Sequence, residues 1–186
     1  MTTADFESRY QADPDPWGYA SSDYERAKYA ATLAACGPGP FAAALELGGS
    51  IGIFTAALAP RCQTLTTIDA APSAVQLARR RLAGQDRVQV ILGTIPADIP
   101  PASYDLVVAS EILYYLPPPD LEATVATIVA VLAPGARLVT VHWRPAGAER
   151  PFTAEAVHAR LRREPCLRPT REDHSADYLL DVLERR

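Results

Sequence analysis

The sequence has little cysteine, almost no lysine and no long apolar run. Its three cysteines, Cys36, Cys62 and Cys166, are odd in number and unevenly spaced, which argues against a disulfide framework or a CxxC metal site and favours a reducing compartment. Lys28 is the lone lysine, and arginine carries the rest of the side-chain positive charge. No apolar run reaches the roughly 18 residues of a membrane-spanning helix, and the first residues lack the basic and apolar regions of a signal peptide. We therefore expect a cytoplasmic location and no membrane partner.

The charge and length set further limits. The formal net charge is -4 at pH 7, which does not suit a protein that binds nucleic acid mainly by neutralising phosphates. We expect no nucleic-acid partner. The 186 residues are enough for one good hydrophobic core and too few for two ordinary domains. We predict a single domain over residues 1–186, with an N-terminal arm at 1–40 and the core at 41–186.

Within residues 41–186, short apolar runs alternate with segments whose apolar residues recur every three or four positions. This alternation predicts an α/β fold with a doubly wound, mostly parallel sheet, in which ligands bind at the carboxyl ends of the strands. A helix is predicted from Ser22 to about Cys36, and two C-terminal segments, CLRPT and YLLDVLER, predict an antiparallel hairpin. Asp120 is expected to cap one helix, and APG at 133–135 to end it. The predicted strands are 41–47, 63–69, 87–92, 104–110 and 136–143.

The stretch LELGGSIGIFT, residues 45–55, raises the question of which nucleotide its glycine turn holds. A dinucleotide fingerprint needs glycine at the first, third and sixth positions, and counted from Gly48 the later two are Ser50 and Ile53. This failed pattern disfavours an NAD-dependent oxidoreductase. Glu46, two residues before the first glycine, would repel a pyrophosphate and attract an ammonium group. The segment therefore favours a nucleoside that carries an amino acid.

A second acidic residue extends the pattern. Asp69 ends the second predicted strand about 21 residues after Gly48, where a carboxylate can accept hydrogen bonds from both ribose hydroxyls. The segments LELGGSIGIFT, TIDAAPSAVQLARRRL, YDLVVASEILYYL and LAPGARLVTVHW resemble, in order and spacing, class I S-adenosylmethionine-dependent methyltransferases over nearly the whole chain. Ser50 stands where that family usually has glycine, and Thr94 and Ile95 stand where it often has an aspartate.

The resemblance implies a Rossmann-like fold that binds S-adenosylmethionine and releases S-adenosylhomocysteine. It also implies which residues contact the cofactor. These are Arg26, Glu46, Gly48, Gly49, Ser50, Gly52, Asp69, Ala70, Thr94, Ile95 and Ser110.

A narrower resemblance lies in the arm. The segment DPDPWGYASSDYERAKY, together with SEILYYL and VHWRP, resembles the NodS-type branch, whose nodulation S methyltransferases N-methylate the deacetylated glucosamine end of a chitooligosaccharide. In that branch the arm covers the cofactor, which implies a lid role for Trp17, Tyr19, Tyr24, Arg26 and Tyr29. The alternative is that these aromatic residues pack the arm onto the sheet, and Tyr29 is the strongest candidate for that role.

Two residues at predicted strand ends are the candidate catalytic groups. Glu111 follows the fourth strand, where its carboxylate can bind an amine or hydroxyl and take its proton. The alternative for Glu111 is a carboxylate that stabilises a helix start. His142 ends the fifth strand and is expected to face the cleft as a base, although a lone histidine is often structural. His158 and His174 are expected to be solvent-exposed, and no metal is expected.

Aromatic and basic residues near these positions are the candidate acceptor-binding residues, because an aromatic face stabilises a nearby cation and can cover a sugar ring. They are Trp17, Tyr19, Tyr114, Tyr115, Trp143 and Arg144.

These patterns favour a methyltransferase that acts on a small molecule or glycan, with an amino-sugar amine as the acceptor. Two alternatives stay open: an O-methyltransferase acting on a natural-product or sugar hydroxyl, and a non-catalytic cofactor-binding subunit of a partner enzyme. The sequence leaves the oligomeric state open.

Overall fold

The structure is a computed structural model, and it describes residues 1–145 and 149–186. Helices and strands alternate along these residues. The helices are α1 (Thr3–Ala12), α2 (Asp23–Cys36), α3 (Ile53–Leu58), α4 (Pro72–Arg81), α5 (Pro118–Val131) and α6 (Ala154–Arg162). The strands are β1 (Phe41–Leu47), β2 (Cys62–Asp69), β3 (Val88–Leu92), β4 (Tyr104–Ser110), β5 (Leu132–Trp143), β6 (Leu167–His174) and β7 (Tyr178–Arg185).

The strands of the described residues form one sheet in the order β3-β2-β1-β4-β5-β7-β6. The pairs β2–β3, β1–β2, β1–β4 and β4–β5 are parallel, whereas β5–β7 and β6–β7 are antiparallel. The predicted doubly wound sheet with a C-terminal antiparallel hairpin is confirmed. The chain order of the strands reverses between β1 and β4, because β2 and β3 lie on one side of β1 and β4 lies on the other. Ligands of such sheets bind beyond the carboxyl ends of the strands at that point.

Two local expectations around α5 are wrong. The helix begins at Pro118 with Pro117 as its N-cap, so Asp120 lies inside the first turn rather than at the cap. Proline suits the first helical turn because it lacks the N–H that would go unpaired there. The helix ends at Val131, and residues 133–135 lie within β5, which begins at Leu132 instead of residue 136.

Alternate strand residues fill the two faces of the sheet, as the pleat requires. Val107 and Leu138 pack in the cluster that includes α5 and α6, whereas Val108 and Val139 pack in the cluster that includes α3. All four side chains are fully buried. Both faces of the central strands are therefore fixed, and so are the positions of the residues that end them.

The arm is tied to the core by polar contacts as well as apolar ones. On α1, Glu7 accepts hydrogen bonds from the backbone N–H and hydroxyl of Ser73 at 2.9 and 2.6 Å, at the start of α4. Between α3 and β2, Arg61 donates to the carbonyls of Leu33 and Gly37 at the end of α2, both at 2.6 Å. The division into an arm and a core within a single domain stays a prediction. None of the described helices is both long and apolar enough to cross a membrane.

Candidate functional site

A cavity of about 990 Å³ lies at the carboxyl ends of the central strands. Its floor comes from the residues that end or follow β1, β2 and β4, and its roof comes from the arm. The predicted site residues that line it are Trp17, Tyr19, Gly48, Asp69, Ala70, Thr94, Ile95, Ser110, Glu111, Tyr114, Tyr115 and Trp143. The structure thus brings together residues that are up to 126 positions apart in the chain.

Gly48 is required by its surroundings. Its φ of +76° is strained for any residue with a side chain, and a Cβ there would lie 3.1 Å from the Cβ of Ile112. Its N–H donates to the carbonyl of Ile68 at 2.9 Å. The turn after β1 therefore lies against the segment that follows β4, with backbone rather than side chain at the cavity wall.

Ser50 contacts the arm instead of lining the cavity. Its hydroxyl is 2.5 Å from that of Tyr10, a buried residue of α1. Its N–H donates to Asp69 at 2.8 Å, and its φ is +49°. At the position where the sequence resemblance leads us to expect glycine, this chain thus has a hydroxyl that binds the arm.

Asp69 is held by two backbone amides at the end of β2. One carboxylate oxygen accepts from Ser50 and the other from the N–H of Ala71, at 2.8 and 2.9 Å. Burial raises the pKa of Asp69 above its usual value, and these amide hydrogen bonds oppose the rise. Each oxygen keeps a lone pair, so the carboxylate remains able to accept hydrogen bonds from a ligand in the cavity.

Glu46 lies beneath the glycine turn and does not line the cavity, in contrast to the expectation that it meets the ligand. Its carboxylate accepts a hydrogen bond from the hydroxyl of Thr55 at 2.5 Å. A Cβ at Gly49 would stand 3.4 Å from the same oxygen, so the turn covers it. Burial raises the pKa of Glu46 to about 7. Gly49 and Gly52, also predicted to contact the cofactor, likewise lie outside the cavity lining.

The carboxylate of Glu111 has three polar partners at the cavity wall. One oxygen accepts from the ammonium of Lys28 at 2.8 Å. The other accepts from the hydroxyl of Tyr114 and from the N–H of Trp143, the latter at 3.0 Å. Lys28 also donates to Glu25 at 2.9 Å. The sequence reasoning missed Lys28 and Glu25; the available signals were that Lys28 is the only lysine and that Glu25 precedes it by three residues on one helix.

Most aromatic residues of the arm pack on one another and line the cavity at the same time, whereas Tyr29 does not line it. Trp17 has its ring centroid 5.4 Å from that of Tyr10 and 5.8 Å from that of Tyr19. Phe6 meets Tyr115 edge-on at 5.0 Å. Tyr29 packs against the core, with its ring centroid 5.5 Å from that of Phe54. The packing role and the cavity-lining role are therefore combined in this row of rings.

The rim of the cavity at the end of β5 combines an exposed ring with a cation. Trp143 is 40% exposed. The guanidinium of Arg150 lies 5.3 Å from its ring centroid and 4.5 Å from that of Tyr114, which is buried. Tyr24, on α2, is exposed and also lines the cavity.

The expectation that His142 faces the cleft is wrong. The residue is fully buried, because alternation along β5 directs it away from the side on which Trp143 lies. Its Nε2 accepts from the N–H of Leu113 at 3.2 Å, and its Nδ1 lies 3.1 Å from the Nε2 of His158. Burial, and then the nearby His158, lower the pKa of His142 well below its usual value. His142 is thus a neutral residue that holds the turn after Glu111.

His158 is also misplaced by the sequence reasoning, since it is fully buried instead of exposed. It lies inside because α6 packs that face against the hairpin, where its Nδ1 is 2.8 Å from a buried oxygen of Asp181. The contact has the distance of an ion pair but not the angle of a good hydrogen bond. His174 is exposed, as expected, and lies 3.1 Å from the other oxygen of Asp181.

Arg26 and Arg144 do not reach the cavity, in contrast to their predicted roles. Arg26 is exposed, pairs with Asp23 and donates to the carbonyl of Ser21 at 2.9 Å. Arg144 pairs with Glu155 at 2.9 Å and donates to a carbonyl of the hairpin turn. In each case a nearer carboxylate satisfies the guanidinium.

The comparisons of the sequence with known proteins all find the same family. A family model described as Nodulation protein S (NodS) matches residues 3–160. Nodulation protein S of Rhizobium tropici is 35% identical over 145 residues, which cover 77% of this chain and 61% of that protein. Nodulation protein S of Bradyrhizobium diazoefficiens is 34% identical over 133 residues, which cover 70% of this chain and 64% of that protein. The chain thus spans less than two thirds of the length of these curated relatives.

Solved structures agree with the sequence relatives. The crystal structure of N-methyltransferase NodS from Bradyrhizobium japonicum WM9 in complex with S-adenosyl-L-homocysteine superimposes with a TM-score of 0.89 at 28% identity, and the match covers 100% of this chain and 99% of that one. A putative methyltransferase from Pseudomonas syringae is 37% identical with a TM-score of 0.76, over 87% of this chain and 99% of that one.

Proposed function

This chain belongs to the NodS family, and from that premise we propose that it is an S-adenosylmethionine-dependent N-methyltransferase whose acceptor is a small molecule or glycan with a free amine. We place an amino sugar first among such acceptors. The relatives support nitrogen over oxygen as the atom that is methylated, because the NodS of known structure is described as an N-methyltransferase. They also support an enzyme over a non-catalytic subunit.

One observation carries the proposal: a single cavity joins the residues expected to hold the cofactor to a wall with a carboxylate and aromatic rings. Its volume of about 990 Å³ is at the upper end of ordinary ligand sites, which leaves room for a nucleoside and part of an acceptor. The hydroxyl of Ser110 is buried at this wall and has no hydrogen-bond partner among the described residues. An unsatisfied buried hydroxyl is costly, so a polar ligand that meets it would be favoured.

The residues present fit S-adenosylmethionine. Asp69 would hold the ribose hydroxyls, the backbone at Gly48 would lie against the amino-acid end, and Thr94 and Ile95 would border the adenine. When bound, this cofactor would supply a methyl group on a sulfonium: the lone pair of the acceptor nitrogen would form the N–C bond, the C–S electron pair would stay with sulfur, and the new ammonium would give a proton to solvent water.

The protein's own contribution is to position the amine and to exclude water. Glu111 would accept a hydrogen bond from an amine N–H and so fix the direction of the nitrogen lone pair. Trp143 and Tyr24 would cover sugar rings at the rim, where both are exposed. The arm, residues 1–40, would serve as a lid, since its α1 roofs the cavity and its Tyr10 binds Ser50.

We propose further that the protein acts in the cytoplasm and has no nucleic-acid partner. Three free cysteines, two of them buried, suit a reducing compartment. The net charge of -4 gives no support to binding through phosphates.

Mass spectrometry of a matched pair of acceptors tests the proposal. A chitooligosaccharide with one free amine and its fully acetylated form are each incubated with the protein and S-adenosylmethionine. We expect a gain of one methyl group on the free-amine form alone. A gain on the acetylated form would indicate methylation of oxygen. No gain on either form, in protein shown by calorimetry to bind S-adenosylhomocysteine, would reject the amino-sugar acceptor.

A further inference from the structure

The only lysine of the chain is buried between two carboxylates. The side chain of Lys28 is 3% exposed, and its ammonium donates to Glu25 at 2.9 Å and to Glu111 at 2.8 Å. We call these three residues the Lys28 cluster. Burying a charge is costly unless it is paired, and here the pairing joins α2 of the arm to the residue that follows β4. The cluster thus connects the proposed lid to the part of the cavity wall that we propose for the acceptor. We call this part, formed by Glu111, Tyr114 and Trp143, the acceptor wall.

The orientation of Glu111 within the cluster is fixed from several directions. Tyr114 and the N–H of Trp143 donate to its second oxygen, and its own N–H donates to the carbonyl of Val141 at 2.8 Å. Its φ of +59° is uncommon for a residue with a side chain, and such strain persists only where the surroundings enforce it. The first oxygen is therefore the one that Lys28 and an acceptor amine would share.

The charges of the cluster do not cancel. Two carboxylates face one ammonium, and the second oxygen of Glu25 is buried without a partner among the described residues. Burial raises the pKa of Glu25. Burial alone would lower the pKa of Lys28, but the carboxylates of Glu111 and Glu25 outweigh it and hold that pKa above its usual value. Lys28 consequently stays charged throughout the neutral range.

Other titratable groups around the cluster come from several elements. His142, on β5, lies near enough for Lys28 to lower its pKa. The remaining neighbours, from the arm, α2, the turn after β4 and the segments after β5 and β6, are Asp15, Tyr19, Tyr24, Tyr29, Tyr114, Tyr115, Arg150 and Asp177.

We propose that Lys28 is a positioning residue that shifts the preference of the acceptor wall away from the ammonium form of an amine and toward its neutral form. This inference rests on the proposed function. Only the neutral amine has a lone pair for the methyl group, so a wall that prefers the ammonium would hold the acceptor unproductively. With its charge next to Glu111, Lys28 leaves an oriented oxygen to receive an N–H while it repels a second cation. After the N–C bond has formed, the new ammonium is repelled by the same charge, which favours loss of its proton.

The test compares the wild type with Lys28→Met, Lys28→Arg and a matched control, Arg160→Met. Arg160 likewise lies between two glutamates, Glu122 at 2.7 Å and Glu164 at 3.3 Å, but it does not line the cavity. For each protein, kcat at saturating concentrations of the free-amine chitooligosaccharide is measured from about pH 6 to about pH 10, together with the affinity for S-adenosylhomocysteine.

We expect Lys28→Met to move the rise of kcat upward by about one pH unit, because kcat follows the pKa of the bound acceptor and removal of one nearby positive charge stabilises the bound ammonium. Lys28→Arg and Arg160→Met should keep the wild-type profile, and the affinity for S-adenosylhomocysteine should change by less than about threefold. A Lys28→Met profile that superimposes on the wild type would overturn the inference while the proposed function stands. A wild type that methylates no amine would overturn both.

A second measurement uses the wild type alone and so does not depend on the folding of a variant. Because Lys28 is the only lysine, protein labelled with 13C at the lysine Cε gives a single side-chain NMR signal. We expect that signal to shift on addition of the free-amine acceptor in the presence of S-adenosylhomocysteine, and to stay in place with the acetylated form. The same response to both forms, or to neither, contradicts the inference.

Discussion

The side of the cavity that we propose for the cofactor, the cofactor side, is held by backbone amides, whereas the side that we propose for the acceptor, the acceptor side, is held by charged side chains. On the cofactor side, Asp69 accepts from the N–H groups of Ser50 and Ala71, which are 19 and 2 positions away in the chain. On the acceptor side, Lys28 reaches Glu111 across 83 positions. Local backbone therefore builds the first side, and tertiary folding builds the second.

This difference has a consequence for substitution. Backbone amides survive a change of side chain, so the cofactor side depends on a few residues such as Gly48 whose conformation or size is restricted. The acceptor side is more sensitive to substitution, because removing one member of a buried charged group leaves the others unpaired. The predictions below test this contrast from the largest expected effect to the smallest.

Glu111→Gln should separate the two sides most clearly. The change removes the charge that faces Lys28 and one of two strong acceptor oxygens, so we expect kcat/KM for the amine acceptor to fall by about 1000-fold, in the range found for proton-transferring or amine-positioning groups. The affinity for S-adenosylhomocysteine should stay within about threefold. Steady-state kinetics and calorimetry measure the two quantities.

The matched control for that variant is Glu122→Gln, which removes a glutamate paired with Arg160 on the outside of the protein. It should leave kcat/KM unchanged. If Glu111→Gln lost cofactor affinity as strongly as turnover, the two sides of the cavity would not be independent.

The same contrast explains which features of the fold and the site could be predicted from the sequence. Strands such as β1 and β4 have the predicted bounds, since their apolar runs follow from burial on both faces. Gly48 and Asp69 follow from local spacing and both line the cavity, whereas Gly49 and Gly52 of the same turn do not.

The pairing of Lys28 with Glu111 depends on how α2 packs against the end of β4. No local sequence pattern predicts it, because the two residues are 83 positions apart. The pairing of Arg144 with Glu155 likewise depends on how α6 packs, whereas the pairing of Arg26 with Asp23 is a local contact between residues three apart on α2, which the sequence reasoning overlooked.

Glu46 gives the cofactor side a buried carboxyl whose pH response has a defined sign. Its pKa of about 7 in the folded protein exceeds the usual 4.5, so it favours folding most fully below about pH 4.5 and loses that contribution as the pH rises through 7. We expect the free energy of unfolding of the wild type, relative to Glu46→Gln, to fall by up to about 3 kcal/mol over this interval. Urea titrations at several pH values measure the difference, and a constant difference would contradict a buried neutral carboxyl.

Asp69→Asn tests whether the paired amides of the cofactor side matter for binding. The asparagine offers one acceptor oxygen, and its NH₂ group would face a backbone N–H, so we expect the affinity for S-adenosylhomocysteine to fall by about 100-fold, or about 2.7 kcal/mol. Asp105→Asn is the matched control, because Asp105 also accepts from two backbone amides, at 2.7 and 3.1 Å, but at the opposite end of the sheet. Equal loss of affinity in both variants would show that loss of stability, rather than loss of a ligand contact, is responsible.

His142→Gln should have the smallest effect, and it decides between two roles for the residue. A glutamine can still accept from the N–H of Leu113 but loses the contact with His158, so we expect the free energy of unfolding to fall by about 1–2 kcal/mol. Turnover should fall by less than about threefold with an unchanged pH profile, whereas loss of a base costs about 100-fold or more. A folded variant that lost turnover to that extent would indicate that His142 acts as a base in the reaction. Its full burial and its low pKa argue against that result, because a base must reach the proton that it takes and must be able to hold it.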